Sequence, residues 1–250
     1  MANALAPALD ARTLVREQHH RINNEFTSAI NLVAVAAVRT DNRDVKAALC
    51  DVVELLHGHA DVHHVLSVPD RDVLIDAAEY LRKLGLAVSR SKLDRMNIHL
   101  LLSTETLPLE AERCWLAGLI VHELVTNAVR HACFDGRDGE IKVKLMRFGS
   151  WVNCRVTDNG SGLGRIKVGH GLQIVADLAK SLGGRIRHTS GTRWTSFALD
   201  FPLTQREQRA SRALASRRPR TTRRLKTLPA LQSVPVAGKQ AKAVAVQPSP

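Results

Sequence analysis

Apolar residues recur every three or four positions over residues 12–66 and predict two helices joined by a short polar turn at 40–43. Because the step alternates between four and three, each helix carries a coiled-coil seam. The seam residues are Val15, His19, Ile22, Phe26, Ala29, Val33 and Ala36 in the first helix and Val45, Leu49, Val52, Leu56, His59, His63 and Leu66 in the second. Two such stripes cannot close a core alone, so the αα-hairpin is expected to pair with a second copy as a four-helix bundle.

From residue 72 to 203 the pattern changes between helical and strand periods. We predict helices over 72–88, 110–132 and 171–182, and strands over 97–102, 141–145, 152–156, 185–189 and 194–201. Gly149 marks the turn between the two central strands, which form a predicted hairpin. This order of elements predicts an α+β fold in which helices cover one face of a mixed sheet.

The charge of the chain is concentrated at one end. Residues 204–250 hold 11 of the 36 basic residues and a single acid, Glu207, so they account for +10 of the net charge of +12. The remainder is nearly neutral, and the basicity therefore belongs to a tail and not to a nucleic-acid-binding core. With five of the nine prolines and no aromatic residue, the tail is expected to be mostly disordered. It could contact anionic lipid or nucleic acid, steer an acidic partner, or remain solvated without a target.

Cysteine spacing and hydropathy favour a cytoplasmic protein. Cys50, Cys114, Cys133 and Cys154 are far apart in sequence, which suits a reducing compartment and argues against a disulfide framework. No apolar run reaches the roughly 18 residues that span a bilayer. The first residues carry no charge before a short apolar stretch, so they make a poor signal peptide.

The segment HELVTNAVRHA, residues 122–132, places a carboxylate, an amide and a cation on one helix face. Glu123, Asn127 and Arg130/His131 fall at i, i+4 and i+7/i+8, which are neighbouring positions on a helix. Carboxylate and amide oxygens suit Mg²⁺, and a cation suits phosphate. A solvated helix face without a ligand fits the same pattern.

Two glycine motifs follow. DNGSG, residues 158–162, comes directly after a predicted strand, so that Asp158 lies beside a backbone that a ligand can approach closely. Further on, Gly169-His170-Gly171 opens a helix, whose N-terminal amides can face a phosphate. Each motif alone is typical of a tight turn. All three motifs in this order favour a nucleotide site.

The order HELVTNAVRHA, DNGSG, GHGLQIV, SGTRWTSFALDFP resembles the N, G1, G2 and closing-strand boxes of the GHKL ATPase family, which includes the ATP-binding domains of sensor histidine kinases. Upstream, EQHHRINNEF at 17–26 resembles the phosphoacceptor box of the histidine kinases with a His-Arg pair, relatives of the HWE group. The resemblance implies a dimerisation and phosphoacceptor hairpin at 12–68, a GHKL-type α/β sandwich ATP-binding domain at 70–203 and the disordered basic tail at 204–250.

The resemblance also implies roles for single residues. His20 matches the phosphorylated histidine, Glu123 the acid of the N box and Asn127 the Mg²⁺ ligand. Asp158 matches the residue that accepts a hydrogen bond from the adenine amino group, and Thr195 matches the late threonine of the adenine pocket. The glycines that match the lid and the phosphate loop are Gly160, Gly162, Gly169 and Gly171.

Helix geometry favours His20 over His19 as the acceptor. The seam places His19 towards the bundle and His20 about 100° further round, towards solvent. Glu17 lies three residues earlier on the same face as His20, within reach to hold or deprotonate its imidazole. A plain polar surface would also explain a double histidine on a helix.

Four more histidines lie on the second helix: His57, His59, His63 and His64. His59 and His63, at i and i+4, could bind a transition metal. They also lie on the seam, and no carboxylate or cysteine completes a zinc motif, so packed or partly exposed bundle histidines are the favoured interpretation.

Taken together, the sequence predicts a cytoplasmic, homodimeric histidine kinase of a two-component pathway that uses ATP and Mg²⁺. We expect it to autophosphorylate His20 and to pass the phosphoryl group to an aspartate of a response-regulator receiver domain. A histidine phosphotransferase relay protein is the alternative, favoured by the expected lack of a sensor domain, and a GHKL serine kinase or anti-sigma switch is a second one. Deleting 204–250 is expected to change the phosphorylation rate of His20 no more than a few-fold.

Overall fold

The computed structural model describes residues 11–69, 72–134, 138–162 and 170–217. It begins with two long helices, α1 (Ala11–Arg39) and α2 (Arg43–Val65), which form the predicted αα-hairpin. The chain reverses where predicted, because Asn42 caps α2: its Oδ1 accepts hydrogen bonds from the backbone amides of Asp44 at 2.9 Å and Val45 at 3.2 Å.

The rest of the described chain is an α/β sandwich. Its elements are β1 (Leu74–Asp76), α3 (Ala77–Val88), β2 (Ile98–Thr104), β3 (Pro108–Glu110), α4 (Ala111–His131), β4 (Ala132–Cys133), β5 (Gly139–Phe148), β6 (Trp151–Asp158), β7 (Ser161–Gly162), α5 (His170–Ser181), β8 (Arg185–Gly191), β9 (Trp194–Pro202) and α6 (Gln205–Arg217). The main sheet has the order β2-β5-β6-β9-β8; β2 runs parallel to β5, and the other neighbours are antiparallel. The predicted mixed sheet is confirmed.

Helices α3, α4 and α5 cover one face of this sheet. Side chains alternate between the two faces of a strand, so every second residue of β5 points into the core. Ile141, Val143 and Leu145 are buried there, against Ile120 and Leu124 of α4. The same core continues to the end of α2, so the hairpin and the sandwich share packed side chains.

The predicted central hairpin is β5 and β6. Phe148 pairs with Trp151, which leaves Gly149 and Ser150 as a two-residue loop. Gly149 has φ +62°, the left-handed conformation that such a loop requires and that glycine adopts without strain.

The predicted helix over 72–88 is wrong at its start, where residues 74–76 form β1 and pair with β3. Asp76 ends the strand and caps α3, because its Oδ1 accepts hydrogen bonds from the backbone amides of Ala78 and Leu107, each at 3.0 Å. After α3 the chain continues through a π-helical turn, Ser89–Leu93, and a 3-10 turn, Asp94–Met96.

The prediction of disorder is wrong for residues 205–217, which form α6. Thr204 and Glu207 make a capping box: Glu207 N donates to Thr204 Oγ1 at 3.2 Å, and Thr204 N donates to Glu207 Oε2 at 2.8 Å. Glu207 is 0% exposed, so one side of α6 is packed onto the sandwich. Residues 218–250 of the predicted tail lie outside the described residues.

No helix in the described part of the chain is both long enough and apolar enough to cross a membrane.

Candidate functional site

Asp158 ends β6 and is buried, with 7% of its surface exposed. Its carboxylate accepts a hydrogen bond from Gly160 N at 3.0 Å, and Thr195, itself 9% exposed, lies opposite it in β9. Burial raises the pKa of Asp158, and hydrogen bonds from backbone amides, including those of Gly160 and Thr195, oppose that rise. A buried carboxylate held by backbone amides retains lone pairs for a donor group of a ligand.

Gly160 brings the loop after β6 against the end of α4. A Cβ atom on Gly160 would lie 2.6 Å from Ala132 Cβ and 3.0 Å from Ala132 Cα, so only glycine allows this approach. Next to this contact, β4 and β7 pair antiparallel, with Ala132 opposite Gly162. The DNGSG segment and the end of the HELVTNAVRHA helix therefore lie side by side, although 26 residues separate Ala132 from Asp158.

Asn127 lies on α4 about one turn before this contact. Its Nδ2 atom is buried and has no hydrogen-bond partner among the described residues. An amide flip exchanges the nitrogen and the oxygen in the same position. A buried polar atom without a partner is typical of a site where a bound ligand satisfies that atom. The amide oxygen of the same side chain is a ligand that suits Mg²⁺.

Glu123 lies one turn earlier on α4, and its carboxylate lies against the first turn of α5. A Cβ atom on Gly171 would overlap Glu123 Oε1, so the glycine leaves the space that this carboxylate occupies. The first turn of a helix has unpaired N–H groups and the positive end of the helix dipole, which favour a carboxylate or a phosphate there. The structure therefore brings Glu123 and Gly171 together, and the roles predicted for them stay predictions.

Among the described residues, the others predicted for the phosphate site have a position but no contact that supports their roles. Arg130 and His131 are exposed in the last turn of α4. Gly162 belongs to β7, and Gly169 lies outside the described residues. The roles assigned to these residues stay predictions.

The predicted acceptor histidine lies on α1 of the hairpin, on the side that the seam pattern assigned to solvent. His20 is exposed on α1, while His19 is half-buried with its ring 6.4 Å from that of His63 on α2. Glu17 accepts a hydrogen bond from Arg21 Nε at 3.0 Å, which makes an i,i+4 ion pair. The structure thus pairs Glu17 with Arg21, and its predicted action on His20 stays a prediction.

The seam histidines pack within the hairpin. His63 lies between His19 and Phe26, whose ring is 5.3 Å from it, while His57 and His64 are exposed. Burial lowers the pKa of both His59 and His63, and neighbouring positive groups lower it further. Within the described ranges, no group of three or more potential ligands could hold a metal ion.

Sequence reasoning missed the buried ion pair that fastens α6 to the sandwich. Arg113 Nε donates to Glu207 Oε1 at 3.0 Å, and the other guanidinium nitrogens donate to the carbonyls of Pro202 at 2.5 Å and Leu182 at 3.3 Å. Glu207 Oε1 also accepts from the backbone amide of Glu110 at 2.9 Å. The local signal was Thr204-Gln205-Arg206-Glu207, the spacing of a capping box.

Two family matches fall on this chain. Residues 17–92 match the family described as histidine kinase (HisKA_2), and residues 116–205 match the histidine kinase-, DNA gyrase B-, and HSP90-like ATPase family (HATPase_c). The first contains His20, and the second contains Glu123, Asn127 and Asp158. The chain belongs to the histidine kinase family.

The sensor histidine kinase PdtaS of Mycolicibacterium smegmatis is 31% identical over 218 residues, which are 78% of this chain and 41% of that protein. PdtaS of Mycobacterium tuberculosis is 31% identical over 191 residues, which are 71% of this chain and 38% of that protein. This histidine kinase therefore spans about two fifths of the length of these relatives. The solved histidine kinase domain of the Erythrobacter litoralis EL346 blue-light activated histidine kinase has a TM-score of 0.52 and 21% identity, and the match covers 72% of this chain and 98% of that one.

These matches confirm the predicted fold, in which a helical hairpin precedes a GHKL-type sandwich. The second match also makes the sandwich of this histidine kinase an ATP-binding domain. The Asp158 region is the part of that domain where the motif residues converge.

Proposed function

We propose that this histidine kinase binds MgATP beside Asp158, phosphorylates its own His20 and passes the phosphoryl group to an aspartate of a response-regulator receiver domain. The observation that carries the proposal is the Asp158 carboxylate, which is buried and accepts hydrogen bonds from backbone amides. Gly160, two residues later, packs against Ala132 at the end of α4. The exposed His20 on the hairpin of the same chain supplies the acceptor.

The nucleotide is proposed to lie between α4 and the loop after β6. Asp158 accepts a hydrogen bond from the adenine amino group, with Thr195 beside it in the register of the sheet. The phosphates lie towards the first turn of α5, where unpaired amides favour anions. Arg130 and His131, at the exposed end of α4, supply positive charge to the same region.

The residues present also fit a magnesium ion. Asn127, whose Nδ2 atom is buried without a partner among the described residues, lies on the same helix as the Glu123 carboxylate, and its amide oxygen and that carboxylate are oxygen ligands of the kind that Mg²⁺ prefers. When bound, the ion neutralises negative charge on the phosphates.

In the proposed reaction a ring nitrogen of His20 attacks the γ-phosphorus of ATP. A P–N bond forms as the bond to the bridging oxygen breaks, ADP leaves, and the ring proton passes to a base or to water. Imidazole suits this role because it is partly neutral and nucleophilic near pH 7. Glu17 remains the proposed base, which requires it to leave its ion pair with Arg21.

In the second step a carboxylate oxygen of the receiver aspartate attacks the phosphorus, and the P–N bond of phosphohistidine breaks. The exposure of His20 allows this, because ATP and the receiver must each reach the imidazole in turn. The receiver domain is therefore the proposed protein partner.

The hairpin is proposed to pair with a second copy. Large apolar side chains stand exposed near its turn, among them Leu32 at 74% and Val38 at 78%, with Val35, Val45 and Val52 close to them in sequence. Such a concentration of exposed apolar surface is typical of an interface. A four-helix bundle of two hairpins would bury it.

Two further features stay proposals. A cytoplasmic setting is supported by the free thiols of Cys50, Cys114 and Cys154. Contact of the basic residues beyond 217 with anionic surfaces is supported by their charge in the sequence.

The test is labelling with γ-labelled ATP and Mg²⁺. We expect the wild-type protein to acquire label that is lost in acid and kept in base, and we expect His20→Ala to abolish it. His57→Ala is the matched control, because His57 is also an exposed histidine of the hairpin. Label that persists in His20→Ala, or folded wild-type protein that acquires none, would contradict the proposal. Label that is stable in acid would instead favour a serine kinase.

A further inference from the structure

One face of α2 contacts α3 and the turns that follow it at Asp51, Gly58 and Val65, which are spaced seven residues apart. Seven residues are nearly two full helical turns, so the three positions form one stripe along the helix. We call Asp51, Gly58 and Val65 the docking stripe. It faces α3 and the turns that follow α3, up to residue 96.

The middle of the docking stripe is a contact between backbones. A Cβ atom on Gly58 would lie 2.8 Å from Ser91 Cα and 2.9 Å from Ser91 N, both of which are main-chain atoms that cannot rotate away. Ser91 belongs to the π-helical turn Ser89–Leu93, an uncommon conformation that is often found at functional sites. One end of the stripe is fixed nearby, since Arg95 Nη2 donates to the carbonyl of Asp51 at 2.5 Å.

The other end of the stripe is fixed by two aromatic side chains. Tyr80 Oη donates to the carbonyl of Val65 at 3.1 Å, and Trp115 Nε1 donates to the carbonyl of Leu66 at 2.8 Å. The last carbonyls of a helix lack intrahelical partners, so both bonds satisfy groups that would otherwise be unpaired. Tyr80 also contacts α4, where Gly118 leaves room for its ring. The end of α2 is therefore attached directly to the helix that carries Glu123 and Asn127.

Along the hairpin, part of the docking stripe lies beside the segment of α1 that carries His20. His63, between its second and third positions, packs beside His19, the neighbour of His20. On α4, His122 is near enough to His63 for the two groups to interact electrostatically. His122 directly precedes Glu123 on α4, so this part of α4 lies near the layer of the hairpin that holds His63 and His19.

We infer that Gly58 is a positioning residue for the phosphorylation of His20, because it alone lets α2 touch the Ser89–Leu93 turn and so sets the separation between the acceptor hairpin and α4. This inference rests on the proposed function. Gly58 contacts neither nucleotide nor acceptor in this account; it acts by fixing the distance that the γ-phosphoryl group must cross. A displacement of about 1 Å in such an arrangement can cost about a hundredfold in rate.

The test is Gly58→Ala, which adds one methyl group against the Ser91 backbone. Alanine is the better helix former, so the substitution favours α2 itself while pushing the domain away. We expect the phosphorylation rate at saturating ATP to fall about tenfold or more, while KM for ATP and the affinity for ADP change less than about twofold. We also expect faster amide hydrogen exchange across residues 89–96.

Gly85→Ala is the matched control. Gly85 is also a buried helix glycine, but a Cβ atom there would meet the end of the Leu102 side chain, 2.9 Å away within the same domain, and that side chain can move. We expect its phosphorylation rate to remain near that of the wild type.

An unchanged or faster rate in Gly58→Ala would overturn the inference, as would an equal loss in Gly85→Ala. A wild-type protein that acquires no label would defeat the proposed function separately. In that case unchanged hydrogen exchange in Gly58→Ala would still overturn the claim that Gly58 fixes the docking.

Discussion

The pKa of the His122 side chain reflects how α4 packs near the hairpin. Burial lowers its pKa to about 4, and positive charge on Lys92 and His63 lowers it in the same direction. The neutral ring is therefore the form that the folded protein accommodates. Protonation would place a charge on this buried ring, close to the cation of Lys92.

This depression of the pKa predicts a loss of stability in acid. The unfolded chain, with a pKa near 6.5, binds more protons than the folded protein between about pH 6.5 and pH 4. The free energy of unfolding should therefore fall as the pH drops through this window, by at most about 3 kcal/mol from His122. Urea unfolding measured at several pH values checks this. In His122→Gln the free energy of unfolding should change less steeply with pH over this window. An unchanged pH dependence would contradict the role assigned to His122.

At the scale of elements, α6 is held by a buried charge pair. Removing one partner of such a pair leaves the other charge without compensation, which costs about 3 kcal/mol or more. Glu207→Ala should therefore lower the free energy of unfolding by about that amount, because Arg113 and the amide of Glu110 also lose their acceptor. Arg209→Ala, an exposed change on the same helix, should cost less than about 0.5 kcal/mol. Equal midpoints for the two variants in urea would contradict this account of α6.

The elements that could be predicted from the sequence are those fixed by local patterns. The seam predicts α1 and α2, and strand alternation predicts β5 and β6, because in both cases the period alone determines the element. β1 could not be predicted, since its three residues form a strand only by pairing with β3, a segment distant in sequence. For α6 a local signal was present, but the basic composition of 204–250 outweighed it. The expectation that deleting 204–250 changes the phosphorylation rate of His20 no more than a few-fold stays a prediction, and it now includes the removal of α6.

The candidate site also has one part that the sequence predicts and one part that it does not. The motifs predicted one shared site, and the structure brings Gly160 against Ala132 and Glu123 against Gly171, while the roles of these residues stay predictions. The docking of the hairpin onto the ATP-binding domain could not be predicted, because it depends on a backbone contact at Gly58 that no periodicity reveals.

At the scale of the whole molecule, the account predicts a dimer whose interface lies near the turn of the hairpin. The predicted seam includes Phe26 and Leu56, but both are half-buried within one chain, and Phe26 packs against His63. Leu32 and Val52 are exposed instead, on α1 and α2 respectively. Replacing both with Asp should convert a dimer to a folded monomer in light scattering at tens of micromolar. A wild-type monomer, or a variant that remains dimeric, would contradict this interface.

The central claim is that the site around Asp158 supplies the phosphoryl group that His20 receives. Its most direct test is to locate the phosphate by mass spectrometry at neutral pH after incubation with MgATP, in the wild-type protein and in Asp158→Ala. The account predicts phosphate on His20 in the wild type, and at least a tenfold loss in Asp158→Ala together with weaker ADP binding, because a buried charged hydrogen bond is worth about 1.5–3 kcal/mol. Phosphate on another residue, or equal phosphorylation of His20 in both proteins, would contradict it.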